Sequence, residues 1–241
     1  MKVMYGSIND GSSIIFANIG DNMPKVSEEY FEKKRREIID AAYQVCLEKP
    51  LPEIVLQDIT DKAGFSHGLI YKYYKNIDEI LYELFARINS EVDIEAEWKK
   101  VLDSTNEWKE VIRKSCNLMK ETLTSMELEK LKISVYANAM SVSNPERTLG
   151  IISKMDNYGR SPLYDLVAFL RQYLTDVIQE ESLHPTEPLD AILQFMFISV
   201  SGFQIRYTIS ECYQSNGGLD PDEIFSCLAA SLISMIGGTK D

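Results

Sequence analysis

Three features of the 241-residue sequence predict an all-α fold. Apolar residues recur at three-to-four spacing through most of its length, the period of a helix that buries one face. Proline and glycine are sparse, and where they fall they mark helix ends rather than hairpins. No alternating strand pattern of useful length occurs.

Residues 1–26 carry Gly6, Gly11 and Gly20 among Ser, Asn and Asp, without sustained periodicity, and read as a loosely ordered arm. From Ser27 the texture changes. Ser27 is a good N-cap, Glu28 and Glu29 suit the positive end of a helix dipole, and Ile38/Ile39, Ala42/Tyr43 and Cys46/Leu47 form an apolar stripe. Pro50 and Pro52 end that helix. A short helix over residues 58–63 stops at Gly64, Ser66 caps another to about residue 74, and Asn76 caps a longer one over residues 77–92. Helices over 108–126 and 127–140 follow. Pro145 lies in the first turn of a segment closed by Gly159, and Pro162 opens a helix to about residue 181. Pro185 and Pro188 interrupt before a long helix over 189–213. After the turn at Asn216-Gly217-Gly218, Pro221 starts a last helix that ends at Gly237-Gly238. This amounts to about nine helices and no strand.

Composition narrows the classes of function. With 45% hydrophobic and 26% charged residues the chain can bury a core and is too apolar for intrinsic disorder. No run approaches the roughly 18 apolar residues of a membrane span, and Ile14-Ile15-Phe16-Ala17 is too short for a signal-peptide core, so a cytoplasmic chain without membrane contact is expected. The net charge of −12 opposes non-specific coating of nucleic acid, yet leaves room for a small DNA-reading module on an acidic body. Cys46, Cys116, Cys212 and Cys227 stand far apart, and with only two histidines no zinc or other metal site is expected. The four cysteines read as reduced core residues, and no cofactor is implied.

Residues 54–81, IVLQDITDKAGFSHGLIYKYYKNIDEIL, have the physics of a helix-turn-helix. A short helix with Leu56, Ile59 and Ala63 on one face meets a turn containing Gly64. A second helix follows, anchored by Leu69 or Ile70 and Tyr74. Such a motif lays its second helix in the major groove with its first residues toward base edges. The DNA-facing candidates are Gln57, Ser66, His67, Gly68, Tyr71, Lys72, Tyr73 and Lys75. Their hydroxyls, imidazole and ammonium groups suit phosphate oxygens and purine acceptors, and Gly68 lets the backbone come close. Three adjacent tyrosines cannot share one face, so Tyr74 is assigned to the core and Tyr71 and Tyr73 to phosphate.

This segment resembles the TetR-like transcriptional repressors. Arg35, Ile38-Ile39 and Ala41-Ala42 look like the family's opening R-x-x-I-L-x-A-A. Residues 58–66 look like its second helix and turn, and residues 68–76 look like its G-x-[LI]-Y-x-[YH]-F-x-[NS] signature. The resemblance covers roughly residues 30–85. It implies a DNA-binding domain at 27–76 and an effector-binding and dimerisation domain at 77–241. The implied protein is a ligand-responsive regulator that binds a palindromic operator as a dimer and is released by a small, largely apolar effector. The sequence departs from the family at Ile77, where a phosphate-contacting Lys is usual. Ile77 either leaves that contact unmade or packs the module against the rest of the chain. Eight basic side chains meet ten acidic ones over residues 28–78, so the module is not basic.

In the remaining two thirds, large adaptable side chains abound. Trp108, Met119, Met126, Tyr136, Met140, Met155, Tyr158, Tyr164, Phe195 and Phe203 are candidates to line an effector pocket, with core packing as the alternative for each. On the last two helices, the stripes Leu189, Ile192, Leu193, Met196, Val200, Phe203 and Ile224, Leu228, Leu232, Ile236 suit either a four-helix dimer interface or an internal core. No catalytic dyad or phosphate loop is apparent. A helical-bundle enzyme and a helical interaction protein with degenerate DNA binding are the other classes.

Overall fold

The computed structural model describes residues 28–153, 161–214 and 217–238, and these form eleven α-helices. They are α1 (Glu28–Glu48), α2 (Leu56–Ala63), α3 (His67–Ile70), α4 (Ile77–Asn89), α5 (Ile94–Asp103), α6 (Trp108–Thr124), α7 (Leu128–Ser143), α8 (Pro145–Ile152), α9 (Pro162–Glu180), α10 (Leu189–Tyr213) and α11 (Pro221–Gly237). A 3₁₀ turn at Leu51–Glu53 links α1 to α2, and no strand occurs among the described residues. The expected arm at 1–26 and the expected closure at Gly159 lie outside the described residues.

Two elements depart from the sequence reading. Helix α5 was not expected, although its signals are ordinary ones. The Asp93 carboxylate accepts a hydrogen bond from the Ala96 N–H at 3.0 Å, and Ile94, Trp98 and Val101 face inward at helical spacing. The predicted second helix of the helix-turn-helix is also shorter as an α-helix. It ends at Ile70, and residues to Tyr74 continue as tight turns in which the Lys72 and Tyr73 N–H groups bond to carbonyls three residues back.

The apolar residues gather into two cores. One joins α1–α4 to α7 and α8 through Ile38, Ile59, Ile70, Leu81, Leu84, Ile133, Met140 and Ile151. The other is built by α5, α6, α9, α10 and α11 around Trp98, Ile112, Met119, Leu170, Met196, Phe203 and Leu232. Helix α7 connects them, since Gln204 of α10 donates to the Ser134 hydroxyl of α7 at 2.9 Å. Of the stripes weighed as a dimer interface, Ile192, Leu193, Met196, Val200, Phe203, Leu228, Leu232 and Ile236 are buried within this chain, while Leu189 and Ile224 are half-buried. The alternative of an internal core therefore describes the buried members of both stripes. Helix α10 nonetheless keeps apolar side chains on its other face, with Phe195, Ile198, Ile205, Ile209 and Tyr213 exposed. The cysteine expectation divides. Cys46 and Cys116 are buried, while Cys212 and Cys227 are exposed.

Candidate nucleic-acid interface

Local rules fix the helix-turn-helix. Valine at position 55 has no side chain that can cap α2, so the Asp58 carboxylate reaches back and accepts from the Val55 N–H at 2.9 Å. Lys49 holds the same carboxyl at 2.5 Å, and this bond, with that of Val55, keeps it below the usual carboxylate range. At the other end Gly64 adopts φ 66°, and the Phe65 N–H closes on the Thr60 carbonyl at 3.1 Å. This is the left-handed reversal that glycine makes at least cost, and it turns the chain into α3. The Ser66 hydroxyl then accepts from Leu69 N–H at 3.3 Å. The segment is closed by Asn76, whose side chain accepts from Glu79 N–H at 3.0 Å, while the Glu79 carboxylate accepts from Lys75 N–H at 2.8 Å.

Most of the predicted DNA-facing set is brought together on one surface. Gln57, Ser66, His67, Gly68, Tyr71, Lys72 and Lys75 are all exposed. Beneath them Ile70 is fully buried and Tyr74 is 4% exposed, the anchoring role expected of that tyrosine. Tyr73 is placed differently. It is half-buried, with its ring 4.5 Å from that of Phe31, because the tight turns after Ile70 rotate it back onto α1. Ile77 also faces inward, half-buried against the same core. Of its two sequence readings, packing is the one that describes its side chain.

Charge on this surface is selectively neutralised. Lys34 pairs with Glu37 at 2.6 Å, Lys62 with Glu48, and Arg35 with Glu83 of α4. Lys72 and Lys75 have no ion pair among the described residues, so their ammonium groups stay free to meet phosphate. The sequence holds no signal for another feature, an acceptor–donor chain across the motif. His67 Nε2 bonds to Gln57 Oε1, and Gln57 Nε2 donates to Asp61 Oδ1 at 2.6 Å.

The effector candidates do not converge. Tyr136 and Met140 belong to the helix-turn-helix core, and Met119 and Phe203 to the other, which Trp108 also packs against. Met126 is half-buried, Tyr164 and Phe195 are exposed, and Met155 and Tyr158 lie outside the described residues. Apolar periodicity predicted that most of these residues pack, but not against which neighbours. A groove of ≈ 460 Å³ runs instead between α6 and α11, lined by residues such as Arg113, Asn117, Lys120, Phe225 and Ile233.

A helix-turn-helix with an exposed polar first turn, carried on a larger helical body, defines a DNA-binding transcriptional regulator. Comparison with known proteins specifies which kind. Residues 38–84 match the model of the bacterial regulatory proteins of the tetR family. The chain is 23% identical over 176 residues to an uncharacterized HTH-type transcriptional regulator, YfiR, of Bacillus subtilis, covering 71% of this chain and 78% of that protein. Its fold resembles a TetR-family regulator from Rhodococcus, with TM-score 0.60, 14% identity, and 85% and 99% of the two chains covered. It also resembles FadR of Bacillus subtilis in complex with stearoyl-CoA, with TM-score 0.59, 21% identity, and 83% and 98% covered. Residues 38–84 thus form a DNA-binding domain of the tetR-family kind, carried on a helical body whose fold resembles that of such regulators.

Proposed function

We propose that this regulator represses transcription by binding an inverted-repeat operator as a homodimer, and that a small, largely apolar effector releases it. The observation that carries the reading is the exposed first turn of α3, where Ser66, His67 and Gly68 stand clear of the core beside two unpaired lysines. Each chain offers one such helix, so two-fold pairing sets half-sites about 34–36 Å apart, or a multiple of that. The exposed apolar face of α10 supports pairing through the last two helices, a surface that water disfavours on a lone chain. Because one fold neighbour holds stearoyl-CoA, long-chain acyl compounds are the first effectors to test.

Release requires the effector to favour one of two arrangements. A route is available: α10 bonds to α7, α7 shares the helix-turn-helix core, and α8 grips α4 where Arg147 Nε donates to Asp78 Oδ1 at 2.7 Å. The test is footprinting on the chain's own upstream DNA, with and without acyl compounds that raise its melting temperature. Paired half-sites that lose protection with ligand support the reading. A single half-site, or ligands that stabilise the protein and leave operator affinity unchanged, overturns it.

A further inference from the structure

The chain Asp61–Gln57–His67 crosses from α2 to the first residue of α3, and its chemistry has one solution. A carboxylate only accepts hydrogen bonds, so Asp61 takes the amide N–H of Gln57 at 2.6 Å. That turns the amide oxygen of Gln57 toward His67 Nε2, and an oxygen only accepts. The neutral ring must therefore carry its proton on Nε2, leaving a lone pair on Nδ1. His67 is exposed, and its Nδ1 has no partner among the described residues.

We infer that Asp61 and Gln57 fix the tautomer of His67, so that the chain presents an acceptor at Nδ1 and reads an amino-bearing base in the major groove. In that groove only adenine N6 and cytosine N4 offer amino donors, whereas guanine offers the acceptors N7 and O6. A histidine of the other tautomer would prefer guanine. Gln57 is then a positioning residue, acting through His67 rather than on a base. The inference rests on the DNA-reading function proposed above and adds which base class one recognition residue selects.

The tautomer is testable on the free, full-length protein. Imidazole ¹⁵N spectra at about pH 8, where an ordinary histidine is neutral, hold only two rings, and His184→Gln assigns them. His67 is expected as one tautomer with the proton on Nε2. Asp61→Lys replaces the acceptor by a donor, which turns the Gln57 amide over and moves the proton to Nδ1. Gln57→Met removes both amide contacts and lets the ring mix tautomers, and it serves if Asp61→Lys does not fold. A ring already mixed in the unaltered chain, or one indifferent to the substitutions that fold, overturns the inference.

Selection from random duplexes supplies the second readout. The unaltered chain should prefer adenine or cytosine at one position per half-site by about fivefold, the worth of one hydrogen bond. That preference should move to guanine in Asp61→Lys and flatten in Gln57→Met. A tautomer that switches without any change in base preference overturns the readout claim. If the unaltered chain enriches no sequence at all, the proposed operator binding fails, while the spectra still decide the tautomer.

Discussion

Gly64 and Gly68 stand four residues apart in the same motif and do opposite things. Gly64 holds φ 66°, which an L side chain adopts at a cost of roughly 1 kcal/mol, so Gly64→Ala should lower the melting temperature. At Gly68 the backbone is not left-handed, and an added Cβ meets nothing within 4 Å. Gly68→Ala should therefore leave stability unchanged, or raise it by up to about 1 kcal/mol through helix propensity. If the backbone there approaches DNA, the same substitution should weaken operator binding. Thermal melts beside binding curves separate the two glycines, and loss of stability in Gly68→Ala would show that the residue serves the fold. The cysteines give a second test at this scale. Burial pushes the thiols of Cys46 and Cys116 up to about 12, so they stay protonated near neutral pH. Exposed Cys212 and Cys227 should react with a maleimide in the native protein, and the buried pair only after unfolding.

At the scale of elements, the module is held to the rest of the chain by α7 and α8. Arg147 of α8 and Asp78 in the first turn of α4 are both half-buried, and Arg147 Nη2 has no hydrogen-bond partner. Removing the guanidinium leaves a half-buried carboxylate alone, so Arg147→Ala should cost about 1–2 kcal/mol of stability. Because the pair touches the residue after Ile77, the same variant should reduce the shift in operator affinity that an effector produces. A melt unaltered by the substitution would mean that the pair contributes nothing to the junction. Ile77→Lys belongs to the same junction. Its side chain packs on the helix-turn-helix core, so a lysine there should destabilise the fold rather than add a phosphate contact. A steeper salt dependence of DNA binding with normal stability would contradict that.

At the scale of the whole molecule, a chain of net charge −12 must bind polyanionic DNA through a few unneutralised cations. In the proposed complex Lys72 and Lys75, which have no ion pair among the described residues, are two of these. Each phosphate contact adds about 0.9 to the slope of log affinity against log salt, so Lys72→Ala should lower the slope by roughly two in a dimer. Binding to operator and to random duplex should weaken alike, because phosphate carries no base information. The proposed dimer is tested on the outer face of α10, where Ile198 is 68% exposed. Ile198→Asp should leave the folded chain intact and shift it to monomer in sedimentation, with loss of paired half-site protection. A variant that remains dimeric would move the interface elsewhere.

The fold class and the helix-turn-helix were legible in the residues alone, because both depend on local chemistry. Helical period, the caps Ser66 and Asn76 and the glycine reversal at Gly64 act within a few residues, and each predicts its own neighbourhood. The exposed set on α3 was legible for the same reason, since Ile70 and Tyr74 had to face inward and so pointed the others out. Helix α5 was missed although Asp93 and the spacing of Ile94, Trp98 and Val101 signal it, because its dense charges hid the stripe. Other features depended on which elements meet. Apolar residues cover α10 on all sides, and nothing local distinguishes Phe203, which enters the core, from Ile198, which stays outside. The same holds for Tyr136 and Met140, which seal the DNA-binding module instead of lining a pocket, and for Tyr73, which turns back onto Phe31. Burial is a property of pairs of faces, and only the tertiary structure says which faces are paired.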